Sequence, residues 1–186
     1  VKWKESTVGC LVLASAGYPN KYEKGKVITG LKEVENDIVV LELSSFQLMN
    51  MKISPKISII TNITPNHLDI HGSFEEYIEA KTNIFAHDCN ERLILNFKND
   101  ITRSLADQAR KGSEVVFFQN ENGVHERDGA IYYRDEKVLN ISDIILPGHH
   151  NVENYMAAIA ATRGLCTNED IEYIARNFKG VAHRCE

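Results

Sequence analysis

Two apolar runs constrain this chain more than any other feature. Asp37 to Leu43 (DIVVLEL) and Ser54 to Ile63 (SPKISIITNI) are nearly continuous stretches of aliphatic and β-branched residues. They lack the polar alternation of a strand with one wet face, so each reads as a strand buried on both sides. Strands of that kind belong to a parallel sheet covered by helices.

The remaining pattern supplies the covers and further strands. Val8 to Ser15 is a shorter apolar run that stops at the turn formers Ala16 to Asn20, and it reads as a strand and loop. Ser73 can cap a helix, with Glu76 three residues on to complete a capping box, and Phe74, Tyr77, Ile78, Lys81, Ile84 and Phe85 follow at helical spacing. Arg92 to Asn96 and Val115 to Gln119 are strands, and Asp100 to Lys111 between them is an amphipathic helix closed by Gly112. Three short alternating segments between Gly123 and Ile145, separated by Asp128-Gly129 and by Asp135 to Lys137, predict an antiparallel meander. Helices are expected from about Val152 to Gly164 and from Asn168 to Phe178, the second capped by Thr167 or Asn168. The fold class is therefore α/β, a mostly parallel sheet flanked by helices with a small antiparallel β appendage.

Length and composition narrow the function. The 186 residues suit one domain, or one domain and a fragment, and can bury a substantial core. With 21 Lys and Arg against 26 Asp and Glu, and a pI near 5.8, the chain is a poor general binder of nucleic acid. No apolar run approaches the roughly 18 residues that a membrane span needs, which predicts a cytoplasmic protein. Cys10, Cys89, Cys166 and Cys185 show no C-x-x-C spacing and read as reduced thiols rather than a zinc site or disulfide framework.

Chemistry concentrates where strands end. Glu42 interrupts an apolar run at its carboxyl end, the side of an open α/β sheet where ligands bind. It either marks the strand's exit at the surface or presents a carboxylate to a metal ion or polar substrate. The second long strand ends in Thr61 to Asp69, with His67 and Asp69 at a similar edge. If the two strands are neighbours, Glu42 and His67 converge as an oxygen and an imidazole suited to partly hydrated Mg2+ or Mn2+. Taken alone, His67 reads as a loop histidine and Lys81 as a lysine snorkelling from an apolar helix face. His125 reads as a surface residue, and the His149-His150 pair has no partner at metal-ligand spacing. No G-x-x-x-x-G-K-S/T phosphate-cradling loop occurs anywhere.

From about Asn36 to Glu186 the chain resembles the ATP-dependent Mur ligases of peptidoglycan synthesis. The matching pieces are Glu42 to Leu48 (ELSSFQL), Thr61 to Asp69 (TNITPNHLD), Glu79 to Phe85 (EAKTNIF), Leu146 to Asn151 (LPGHHN) with Asn154, Ala157 and Ala158, and Phe178 to Arg184 (FKGVAHR). ELSSFQ resembles the D-glutamate-adding branch in particular. The resemblance implies ATP and Mg2+ as cofactors, and UDP-N-acetylmuramoyl-L-alanine and D-glutamate as substrates. It implies Glu42 and His67 as Mg2+ ligands, and Lys81 as a lysine carried as an anionic carbamate. It implies Ser44 and Ser45 facing the nucleotide sugar, and Asn151 and Arg184 approaching ATP. In that family the γ-phosphoryl group of ATP passes to a substrate carboxylate, and the amino acid's amine then attacks the acyl phosphate.

The chain departs from the family pattern at both ends: the first strand and P-loop of the central domain are missing, and the third domain would begin where the chain stops at Glu186. Residues 1–34, notably Leu11 to Pro19 and Tyr22 to Leu31, instead resemble the C-terminal part of phosphoribosylamine–glycine ligase of purine synthesis. The expected organisation is thus residues 1–35 from that second source, 36–180 as a partial Mur ligase central domain, and 181–186 at the boundary to a further domain. Three readings follow: a ligase fragment incompetent alone, a folded non-catalytic module binding nucleotide or a protein partner with Val8 to Ser15 standing in for the missing strand, and a purine-synthesis ligase fragment.

Overall fold

The computed structural model describes residues 8–10, 38–65 and 71–180. The chain divides into two compact units, Val1–Asn50 and Met51–Glu186.

In the first unit β1 (Val8–Cys10) pairs in parallel with β2 (Ile38–Val40), with Val8 opposite Ile38. The remainder of the Val8 to Ser15 run lies outside the described residues. Glu42 follows β2 after one residue, and the chain then enters the short helix α1 (Ser45–Leu48). Ser44 is its N-cap: its hydroxyl accepts from the Gln47 N–H, and the Gln47 side-chain oxygen accepts from the Ser44 N–H at 2.8 Å. This reciprocal box lets so short a helix hold its first turn.

The second unit is a six-stranded sheet whose spatial order follows the sequence: β3 (Ile57–Ile60), β4 (Arg92–Asn96), β5 (Glu114–Phe118), β6 (Val124–Arg127), β7 (Ala130–Tyr133) and β8 (Glu136–Asn140). Pairing is parallel from β3 to β6 and antiparallel from β6 to β8. The predicted antiparallel meander therefore exists, joined to the parallel sheet through β6. The seam is narrow, because β5 and β6 share one register pair, Phe118 with Val124. Gly123 sits at that corner, where an added Cβ would lie 1.9 Å from the Phe117 carbonyl oxygen.

Alternation along the strands sends side chains to two cores. Leu93, Leu95 and Ile60 pack with Tyr77, Phe85 and Leu105 on the face covered by α2 (Phe74–Thr82) and α3 (Asp100–Ser104). Ile94, Val116, Phe118 and Ile131 pack with Val152, Met156, Ile159 and Ala160 of α4 (His149–Thr162), and with Ala175 of α5 (Asn168–Asn177). The alanine-rich face expected on α4 lets that helix lie close across β3 to β7. Among the described residues no helix is long and apolar enough to cross a membrane.

Several expectations need correction. The helix from Asp100 ends as α-helix at Ser104 and tightens to a 3-10 turn over Leu105–Gln108. The Thr102 and Ser104 hydroxyls donate back to the Asn99 and Ile101 carbonyls, at 3.1 and 2.8 Å, and compete with the helical ladder. At Ser73 half of the capping box forms: its hydroxyl accepts from the Glu76 N–H, but the Glu76 carboxylate takes the Gly72 N–H at 2.9 Å. Helix α4 starts at His149 rather than Val152, since Gly148 at φ +93° turns the chain and the Asn151 side chain holds the Pro147 carbonyl at 2.7 Å. His125 is buried, not a surface residue, because β6 is an interior strand; its ring stacks on Tyr132 at 5.8 Å between centroids.

Candidate functional site

The carboxyl ends of β3, β4 and β5 form the edge where an open α/β sheet presents ligands. Each ends in a side-chain amide or near one: Asn62, Asn96 and Gln119. Asn96 is buried and ties the three exits together. Its amide N–H donates to the Thr61 carbonyl at 3.0 Å, and its oxygen accepts from the Lys98 backbone N–H at 2.9 Å and the Gln119 side chain at 3.2 Å. Asn99 adds a second tie, donating to Asn62 Oδ1 at 2.6 Å and the Ile63 carbonyl at 3.0 Å, while its own oxygen caps α3 through the Thr102 N–H at 2.9 Å.

Above this edge lies a cavity of about 150 Å³. Thr61, Asn62 and Asn96 line it from the strand ends, Phe118 from β5, and His150, Glu153 and Asn154 from the first turns of α4. The lining offers amide donors and acceptors, an imidazole and one carboxylate around an aromatic wall. Such a lining can exchange hydrogen bonds with a polar ligand.

The residues singled out from sequence fall in different places. Glu42 is exposed in the first unit, Ser44 is the cap of α1, and Ser45 is buried at the start of that helix. β2 pairs with β1 and β3 with β4 among the described strands. His67 and Arg184 lie outside the described residues. Lys81 is half-buried in the last turn of α2, with its ammonium 5.7 Å from the centre of the Tyr77 ring. Burial pushes the Tyr77 phenol up from its ordinary value. Asn151 closes the turn before α4 instead of lining the cavity; its Oδ1 meets Asn154 Nδ2 at 3.5 Å, and Asn154 does the lining. Among the described residues no three His, Cys, Asp or Glu side chains gather as a metal site.

Sequence reasoning missed Asn62, Asn96, Asn99 and Gln119 as the frame of the edge. Their signal was an Asn or Gln at or just past the end of each of three successive strands.

Comparison with known proteins shows the family. The Mur ligase middle domain family matches residues 3–162, a span that includes most of the first 35 residues. The chain is 42% identical over 193 aligned positions to the UDP-N-acetylmuramoylalanine–D-glutamate ligase of Acetivibrio thermocellus, covering 98% of this chain and 40% of that protein. It is 40% identical to the enzyme of the same name from Clostridium perfringens, covering 100% of this chain and 42% of that one. The chain thus spans about two fifths of the length of these relatives. A solved UDP-N-acetylmuramoyl-L-alanyl-D-glutamate–2,6-diaminopimelate ligase superposes with a TM-score of 0.66 at 22% identity, over 94% of this chain and 42% of that one. A parallel sheet with its polar edge at the strand exits, matched in sequence over most of its length, places the chain in the Mur ligase family, in the region of the middle domain.

Proposed function

We propose that this chain is the nucleotide-handling part of a D-glutamate-adding Mur ligase. The observation that carries the reading is the cavity at the carboxyl ends of β3, β4 and β5, closed by the first turns of α4. In the full reaction the γ-phosphoryl group of ATP passes to the carboxylate of UDP-N-acetylmuramoyl-L-alanine with loss of ADP. The amine of D-glutamate then attacks the acyl phosphate and expels inorganic phosphate.

The roles follow the resemblance. Asn151 and Arg184 serve ATP, and Asn154, His150 and the amide frame hold its nucleoside end. Ser44 and Ser45 face the nucleotide sugar, although the Ser44 hydroxyl is already engaged by Gln47. Lys81 is the candidate carbamate. Glu42 and His67 are the candidate Mg2+ ligands; the described residues do not assemble that site, so no step is derived through the metal. Residues 36–180 carry the described candidates, and residues 1–35 contribute β1.

The absence of a P-loop motif from the sequence removes the backbone donors and lysine that grip β- and γ-phosphates, and phosphoryl transfer is mostly a matter of that positioning. The chain alone is therefore expected to bind nucleotide without turnover. The parallel pairing of β1 with β2 is the observation behind a related reading, a folded, non-catalytic nucleotide module in which β1 serves as the first strand. Phosphate release measured with UDP-N-acetylmuramoyl-L-alanine, D-glutamate, ATP and Mg2+ tests the first point, and turnover above background overturns it. Calorimetric titration with ATP, in parallel with Asn154→Ala, tests the second. Absence of binding, or equal binding by the variant, overturns the site.

A further inference from the structure

His149 of α4 is not part of the cavity lining. It stands at the helix's first position, between two carboxylates: its Nε2 is 2.9 Å from Glu126 Oε2 on β6, and its Nδ1 is 3.6 Å from Glu153 Oε1 one turn along α4. Glu126 lies outside the cavity lining, whereas Glu153 is part of it. His150, next in the chain, is the other titratable group here, and its ring lies against Gly148.

A neutral imidazole has one N–H and one lone pair, while both facing groups are pure acceptors. One carboxylate must then meet the lone pair. An imidazolium offers an N–H to each side and attracts both. We propose that His149 is a positioning residue: protonated, it clamps the first turn of α4 to β6 through Glu126 and offsets the charge of Glu153 beside the cavity. The cavity half of this inference rests on reading the cavity as a nucleotide site.

Two consequences share one direction. The charged ring holds the turn that carries His150, Glu153 and Asn154 and offsets the Glu153 carboxylate near any phosphate-bearing ligand, and the neutral ring does neither. The contacts are partly exposed, so the expected effect is modest, about two- to fivefold in protection or affinity.

The test has two arms on the same chain. Amide hydrogen exchange over residues 149–154 is followed across a pH series without ligand and corrected for intrinsic exchange. Protection should fall as pH rises in the parent chain, and this step should vanish in His149→Gln and shrink in Glu126→Gln, which keeps the histidine and removes its strand partner. A parent profile without a step, or one that survives His149→Gln, overturns the clamp. In the second arm, ADP affinity should weaken with rising pH more in the parent than in His149→Gln, by about the same factor, since the variant keeps the contributions of His150 and of the ADP phosphate itself. A step in exchange with identical affinity profiles for parent and variant overturns the link to the cavity. If ADP binds to neither protein at any pH, the nucleotide reading fails, and with it the cavity half of the proposal, while the clamp stands or falls on exchange alone.

Discussion

The two edges of the parallel sheet solve the same problem with different chemistry. At the amino edge the ends of β3, β4 and β5 are joined by charges. Lys56 pairs with Glu91 at 3.3 Å, Arg92 pairs with Glu114 at 2.8 Å, and Arg163 pairs with Glu136. Arg92 also donates to the Arg163 carbonyl at 3.0 Å, so the end of α4 is tied to the sheet. A cavity of about 360 Å³ lies among these groups, more than twice the size of the one at the carboxyl edge. Its guanidinium groups and the Glu114 carboxylate already have ionic partners. At the carboxyl edge, neutral amides make the ties, and the smaller cavity is lined by groups able to make further hydrogen bonds. The two cavities thus differ less in volume than in which of their lining groups still have hydrogen-bonding capacity for a ligand.

The sharpest way to break that comparison is to remove the central tie of each edge. Asn96→Ala should destabilise the fold by about 2–3 kcal/mol, because a buried amide and its partners lose their hydrogen bonds together. Arg92→Ala should cost less, about 1–2 kcal/mol, since its carboxylate partner is partly exposed and regains water. Urea unfolding of both variants measures the difference, and a larger loss for Arg92→Ala inverts the ranking. Ser73→Ala, at the helix start beyond the carboxyl edge, should remove about 1 kcal/mol by the same measurement, as loss of an N-cap does. The smallest effect is one of pH. The hydrogen bond from Arg163, helped by Asn168, holds the Glu136 carboxyl below its ordinary value of 4.5. A depressed value in the folded state adds stability above the unfolded value, and that addition is lost as pH falls through the folded one. Melting temperature should thus drop below about pH 4.5, and less steeply in Glu136→Gln. An unchanged acid limb would show that this exposed pair adds nothing at the amino edge.

The sheet was legible from its near-continuous aliphatic runs, although only β4 is buried almost throughout: burial alternates along β3, and Val40 of β2 is exposed. The meander was legible from Asp128-Gly129 and the polar turn after it. What local pattern could not show was contact across long separations. The tie from Asn96 to Thr61 spans 35 residues, and the burial of His125 depends on a strand on either side of it. The early end of α3 was hidden for a different reason: Thr102 and Ser104 look acceptable in a helix until their hydroxyls are seen bonding back to carbonyls. Of the candidate site, the sequence offered the strand exits and the LPGHHN motif; it could not offer the long-range amide ties, nor that Asn154 lines the cavity while the Asn151 side chain holds the Pro147 carbonyl.

The single rung between β5 and β6 has a mechanical consequence. A sheet pulled along its strands usually shares load across many ladder bonds, but here two parallel neighbours share one residue pair. Helix α4 lies across β3, β4, β5, β6 and β7, on both sides of that joint. It works as a splint. Tension applied across the seam would be carried by side-chain packing under α4, so the joint should yield when the helix lifts rather than when a backbone bond breaks.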